Sequence, residues 1–206
     1  MSATVEESPS GAWHGAADTG TSTRTHVVTP VDLAPFADNI AMTTLQTLDA
    51  GALNVWGNSL PAGTLPAAGM AVAEIRFRPL PADGRHPDNV RCAGQYLRVP
   101  ATGADWLHLL AASERRCEET VHLHYSSGAV EPEWLRVSDL WPAHPHFGER
   151  LAARAVMHYP HHRQDDVQGQ IWAMRVPVVR REPLVAIRLP DNPAVHVFAL
   201  SVEEVR

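Results

Sequence analysis

From residue 27 onward the chain alternates short apolar stretches with clusters of proline, glycine, asparagine and aspartate. Stretches of this kind, rich in β-branched and aromatic residues and bounded by turn formers, are the pattern of β-strands. The expected strands are 72–77, 95–99, 105–111, 119–125, 130–137, 152–158, 171–178, 184–189 and 194–202. In 119–125 the alternation is strict, with Val121, Leu123 and Tyr125 on one face and Thr120, His122 and His124 on the other. Val185, Ile187 and Leu189 alternate with Ala186 and Arg188 in the same way. Ser126-Ser127-Gly128 supplies a glycine for the left-handed position of a tight connection, so 119–125 and 130–137 are expected to pair as antiparallel neighbours.

Helical signals are few. The stretch 41–53 carries Gly51 and three threonines, and 147–156 reads equally well as the lead into the strand after it. Seventeen prolines suit short strands and turns better than long helices. No repeat of solenoid or propeller period occurs. The expected fold is all-β: a single antiparallel β-sandwich, jelly-roll-like, over residues 27–206. Residues 1–26 are dominated by Ser, Thr, Gly and Ala, with Trp13 as their one aromatic residue, and read as a disordered or loosely docked tail.

A chain of 206 residues fits one domain and buries enough surface for a core without disulfides. Cys92 and Cys117 are therefore expected as free thiols. All 17 basic residues are arginine, which removes Schiff-base and P-loop lysine chemistry. The net charge of -6 and the lack of a basic block argue against nucleic acid as a partner. No apolar run is long enough for a membrane-spanning helix, so no membrane partner is expected. Two glutamates near the start and no apolar core segment make a secretory leader unexpected, and the cytoplasm is the expected location. The sequence sets no oligomeric state.

Twelve histidines and six tryptophans are the chemically suggestive excesses. Five histidines (His144, His146, His158, His161 and His162) fall within nineteen residues, enough for acid–base work or a metal site, although loop histidines also occur simply as solvated polar groups. His122 and His124 share a strand face and are a second, weaker pair of metal candidates, with no third ligand evident. A divalent metal is the one cofactor left open. No G-x-S-x-G, G-x-G-x-x-G or Walker pattern occurs, so no nucleotide or other organic cofactor is expected. Asp38-Asn39, Asp88-Asn89 and Asp191-Asn192 read either as turn formers or as loop ligands for a polyol or a cation. Asp139 and Trp141 read either as a turn cap and a core plug, or as a hydroxyl acceptor and a stacking surface.

Several short segments, in order, resemble the jelly-roll-like, galactose-binding-like accessory domains attached to bacterial glycoside hydrolases. They are Val31-Asp32-Leu33 with 36–40 (FADNI), 86–90 (HPDNV) with 93–95 (AGQ), 107–112 (LHLLAA), 124–128 (HYSSG), 137–141 (VSDLW), and 189–192 (LPDN) into 196–200 (HVFAL). The resemblance implies a carbohydrate- or polyol-binding module, here as a stand-alone protein. Its recognition end would be built from Asp38, Asn39, Asp88, Asn89, Asp139, Trp141 and His158. The alternative is a small cytoplasmic enzyme of natural-product metabolism, a cyclase, isomerase or hydrolase, with acid–base chemistry from His144, His146, His158, His161 or Asp139. A third reading is an assembly subunit, marked by an exposed apolar patch.

Overall fold

The computed structural model describes residues 25–141 and 143–205. The tail expected over 1–26 lies outside the described residues except at its end, where His26 already belongs to a strand. The strands, in chain order, are β1 (His26–Val31), β2 (Met42–Thr43), β3 (Leu60–Pro61), β4 (Met70–Val72), β5 (Ile75–Phe77), β6 (Val90–Arg91) and β7 (Tyr96–Thr102). They continue with β8 (Trp106–Ser113), β9 (Cys117–Tyr125), β10 (Val130–Val137), β11 (Arg150–Tyr159), β12 (His162–Pro177), β13 (Leu184–Arg188) and β14 (Val195–Val205).

Two antiparallel sheets form the sandwich. One runs β1-β14-β8-β12-β11, with β6 also on β14, and the other runs β10-β9-β13-β7. Setting β1-β14-β8-β12 against β7-β13-β9-β10 gives the strand order of a jelly roll, to which β11 adds an edge. β9 and β10 pair as expected, from Val130 opposite His124 to Val137 opposite Cys117. The core between the sheets takes alternate residues of each strand, among them Leu107, Leu109, Val121, Leu123, Leu135, Ile187 and Leu200.

The larger sheet is covered on its other face as well. The long connection between β1 and β7 crosses that face, and its Met42, Leu53, Leu60, Leu65 and Phe77 close over Leu110, Ala112, Ile171 and Phe198. A sheet covered on both faces carries near-continuous apolar runs, which is why 107–112 reads LHLLAA. The connection is tightly laid. A Cβ on Gly51 would stand 2.8 Å from the carbonyl oxygen of Gly57 and 2.8 Å from Ser59 Oγ.

Four details depart from the sequence reading. The strand expected at 72–77 is a hairpin, because Ala73 (φ 49°) and Glu74 (φ 71°) turn the chain between β4 and β5. Neither helical candidate is an α-helix: 41–53 holds β2 and a 3-10 turn (Leu48–Ala50), and 147–156 leads into β11. A register shift between Leu184 and Ala186 breaks the alternation there, so Leu184, Ala186, Ile187 and Leu189 are buried while Val185 is only half-buried. β1 and the two-residue strands β2, β3 and β6 lie outside the expected set.

Candidate functional site

On three adjacent strands the covered face of the larger sheet changes from apolar to polar at the same level. β8 passes from Ala112 and Leu110 to His108 and Trp106, β14 from Ala199 to Ser201 and Glu203, and β12 from Ile171 and Ala173 to Arg175. Register aligns these changes, since Arg175 lies opposite His108, His108 opposite Ser201, and Trp106 opposite Glu203. There the covering connection ends and a groove of about 1200 Å³ opens. His108, Arg175 and Glu203 of this strip form its floor, one wall is the β4–β5 hairpin, and the other is the edge strand β10. Ser201 Oγ donates to the carbonyl of Arg76 at 2.7 Å and ties the hairpin wall to the floor.

At the floor a single carboxylate holds two imidazoles. Glu203 Oε2 lies 2.7 Å from His108 Nε2, and Glu203 Oε1 lies 2.5 Å from His26 Nδ1. His108 and Glu203 are buried, whereas the His26 side chain is 56% exposed. Burial alone would lift the Glu203 carboxyl, but hydrogen bonds from His26 and His108 hold it below the ordinary range. Burial pushes His108 down despite the neighbouring carboxylate, so it serves as a neutral N–H donor. With His26 Nδ1 committed to Glu203, its Nε2 is the ring nitrogen left for the groove. Arg175 stacks on Trp106 with its guanidinium carbon 4.1 Å from the ring centroid. Trp134, 61% exposed, borders the groove on β10, on the same outer face of the smaller sheet as Thr120 and Arg136.

The residues expected from sequence lie elsewhere. Asn39, Asp88 and Asn89 do come together, but inside the protein. Asp88 accepts the backbone N–H groups of Ala41 and Met42 at 3.0 and 2.9 Å, and the Asn89 amide at 2.8 Å. Asn89 Oδ1 lies 2.9 Å from His196 Nδ1, and Asp38 accepts the Arg91 N–H at 2.8 Å. This network fastens the covering connection to β14; its Asn39, Asp88 and Asn89 are enclosed, and only Asp38 of the set is exposed. His158 is buried as well, with Nδ1 2.9 Å from Thr43 Oγ1 and its backbone paired with Ser59, so it too serves the fold.

The histidine-rich region does not converge. His144 is exposed, and His161 and His162 sit at or beside the tip of the β11–β12 hairpin. His146 bridges Arg116 at 3.2 Å and Asp139 at 3.4 Å on the surface. The Asp139 backbone carbonyl accepts the Trp172 indole N–H at 3.0 Å, and Trp141 packs half-buried against the second core. His122 and His124 do share the outer face of the smaller sheet, where Tyr96 meets His124 edge-on at 4.8 Å. Among the described residues no three His, Cys, Asp or Glu side chains gather as metal ligands. Cys92 and Cys117 are free.

His26, His108, Glu203 and Arg175 are absent from the sequence-derived candidates. The signal for His108 was present, a lone polar residue inside an apolar strand, but its partners only become visible once the strands are in register. In comparisons with known proteins, the family model described as the AziU2-like beta-sandwich domain matches residues 27–206. A search of curated proteins finds no match.

Proposed function

We propose that this chain, which belongs to the AziU2-like β-sandwich domain family, binds a multiply hydroxylated small molecule, of sugar or polyol type, in the groove over its larger sheet. The observation that carries the reading is the carboxylate of Glu203 with an imidazole on each oxygen, set in the floor of that groove. Fixed polar groups of both kinds in a concave surface are what hydroxyl recognition requires. Trp134, bordering the groove, adds a flat face for the apolar side of a sugar ring. The resemblance of segments such as 107–112 to accessory domains of bacterial glycoside hydrolases favours the same ligand class. The ligand class expected from sequence is kept, while the residues assigned to it move from the Asp-Asn loops to the floor of the groove.

The test is calorimetric titration against a panel of monosaccharides, oligosaccharides and alditols. The expected result is binding of at least one compound, weakened tenfold or more by His108→Ala and by Trp134→Ala. Silence across the panel overturns the reading.

One observation favours a second reading, acid–base catalysis. The buried Glu203 carboxylate orients His26 through Nδ1 and leaves Nε2 for a substrate proton, the arrangement in which a carboxylate fixes the tautomer of a catalytic histidine. Incubating each bound compound with the protein and following it by proton NMR separates the two. Conversion that His26→Gln abolishes, with binding retained, establishes the enzyme; an unchanged compound establishes a binding protein.

A further inference from the structure

Four arginines and four glutamates line the groove, yet they are not equally free. Glu203 is committed to two histidines. Glu149 is committed to the Ser138 N–H and hydroxyl and to the Phe147 N–H. Of the arginines, Arg136 pairs with Glu118. None of the ion pairs among the described residues involves Arg76, Arg150 or Arg175. Three arginines therefore line the groove outside those ion pairs, against Glu74 at the hairpin turn and Glu133 on β10.

Two of the three are placed together by register. Arg150 lies opposite Ala173, and Arg175 follows two residues later on the same face of β12. Such diagonal neighbours stand about 7 Å apart between backbones, within reach of one another for long side chains. Stacking on Trp106 restrains the Arg175 guanidinium but leaves its in-plane N–H groups open for hydrogen bonds. A planar donor fork held in place beside a second arginine suits an oxyanion.

We infer that Arg150 and Arg175, with Arg76 on the facing wall, bind an anionic group of the ligand, so that the groove selects acidic sugars over neutral ones. The inference rests on the groove reading above and names its ligand class more closely. The anion can be a carboxylate or a phosphate, and the probes separate these. Glucose, glucuronate, glucose 6-phosphate and inorganic phosphate are each titrated into the full chain, followed by calorimetry and by amide chemical shifts.

The expected result is that glucuronate or glucose 6-phosphate binds at least tenfold tighter than glucose. Arg175→Gln and Arg150→Gln should each remove most of that advantage. The stronger of the two acidic sugars identifies the anion. Inorganic phosphate alone should shift amides around 150 and 173–176. If glucose binds as tightly as both acids, the inference is overturned and the polyol reading stands. If none of the sugars binds, both fail. If phosphate shifts amides beside exposed arginines at large, or the Arg→Gln variants keep the full preference for acid, the arginine pair is not the site. Thermal melting of both variants at wild-type temperature establishes that they fold.

Discussion

His108 donates its Nε2–H to Glu203 at 2.7 Å across the boundary between two neighbouring strands, and less than a tenth of either side chain is exposed. A buried carboxylate so placed has to keep its donors, because losing one leaves a charge without compensation.

Glu203→Gln should therefore cost about 2 kcal/mol at neutral pH, the range for hydrogen bonds to a charged group. The sign of the pH dependence follows from the depressed carboxyl. Its stabilisation is present above the ordinary Glu value of 4.5 and is lost as pH falls through the lower folded value. Urea unfolding of both proteins between pH 3 and 7 should show the wild-type advantage shrinking below pH 4.5. Parallel curves would contradict the charge assignment.

His196 and Asp88 should oppose each other on acidification. Burial, with Arg91 adding to it, pushes His196 down to about 4, so its contribution is full above the unfolded value of 6.5 and is lost as pH falls toward 4. Burial pushes Asp88 up to about 6 against three hydrogen bonds, so its contribution has the other sign and grows as pH falls from 6 toward 3.8. His196→Gln removes only the first. Relative to wild type it should gain stability from pH 6.5 to pH 4, by a few kcal/mol at most. Calorimetric melting across that range reads the difference, and a constant offset between the two proteins counts against the idea.

Asp88→Ala strips the acceptor from the Ala41 and Met42 N–H groups and from the Asn89 amide. The expected loss is about 3 kcal/mol, since each orphaned buried donor costs about 1 kcal/mol or more. Hydrogen exchange should quicken at residues 38–43 and 58–62 while the β9–β10 hairpin stays protected. Uniform loosening of the whole sandwich would show that the network does more than fasten the cover.

Trp134→Ala separates binding from stability. The side chain is largely exposed, with the Arg136 guanidinium 5.7 Å from the ring centroid. Unfolding free energy should move by no more than about 0.5 kcal/mol. A clear drop in melting temperature would make Trp134 part of the fold.

The sandwich was legible because its evidence is local. Alternation in 119–125, the Ser126-Ser127-Gly128 connection and the proline-punctuated strands each depend on neighbours in sequence. The candidate site was not legible, because its parts are long-range. Glu203 reaches His26 across 177 positions and His108 across 95, and nothing in SVEEV or LHLLA alone announces the match. Chemically suggestive residues also misdirect when they serve the fold. Asp88, Asn89 and His158 are of ligand type, yet all three are buried in hydrogen bonds that hold the cover. The hairpin at 72–77 was missed because two non-glycine residues adopt positive φ there, a conformation their side chains do not advertise.

The ladder between β1 and β14 sets His26 opposite Val205 and Val31 opposite Leu200, so the first and last strands of the domain are neighbours. During synthesis the larger sheet cannot gain its outermost pairing, nor His26 meet Glu203, until the final strand has left the ribosome. The groove is thus among the last parts of the molecule to form. The same adjacency lets a short linker join the start of β1 to the end of β14, so a circular permutant of the domain opened at the Ser126–Gly128 turn should retain both sheets.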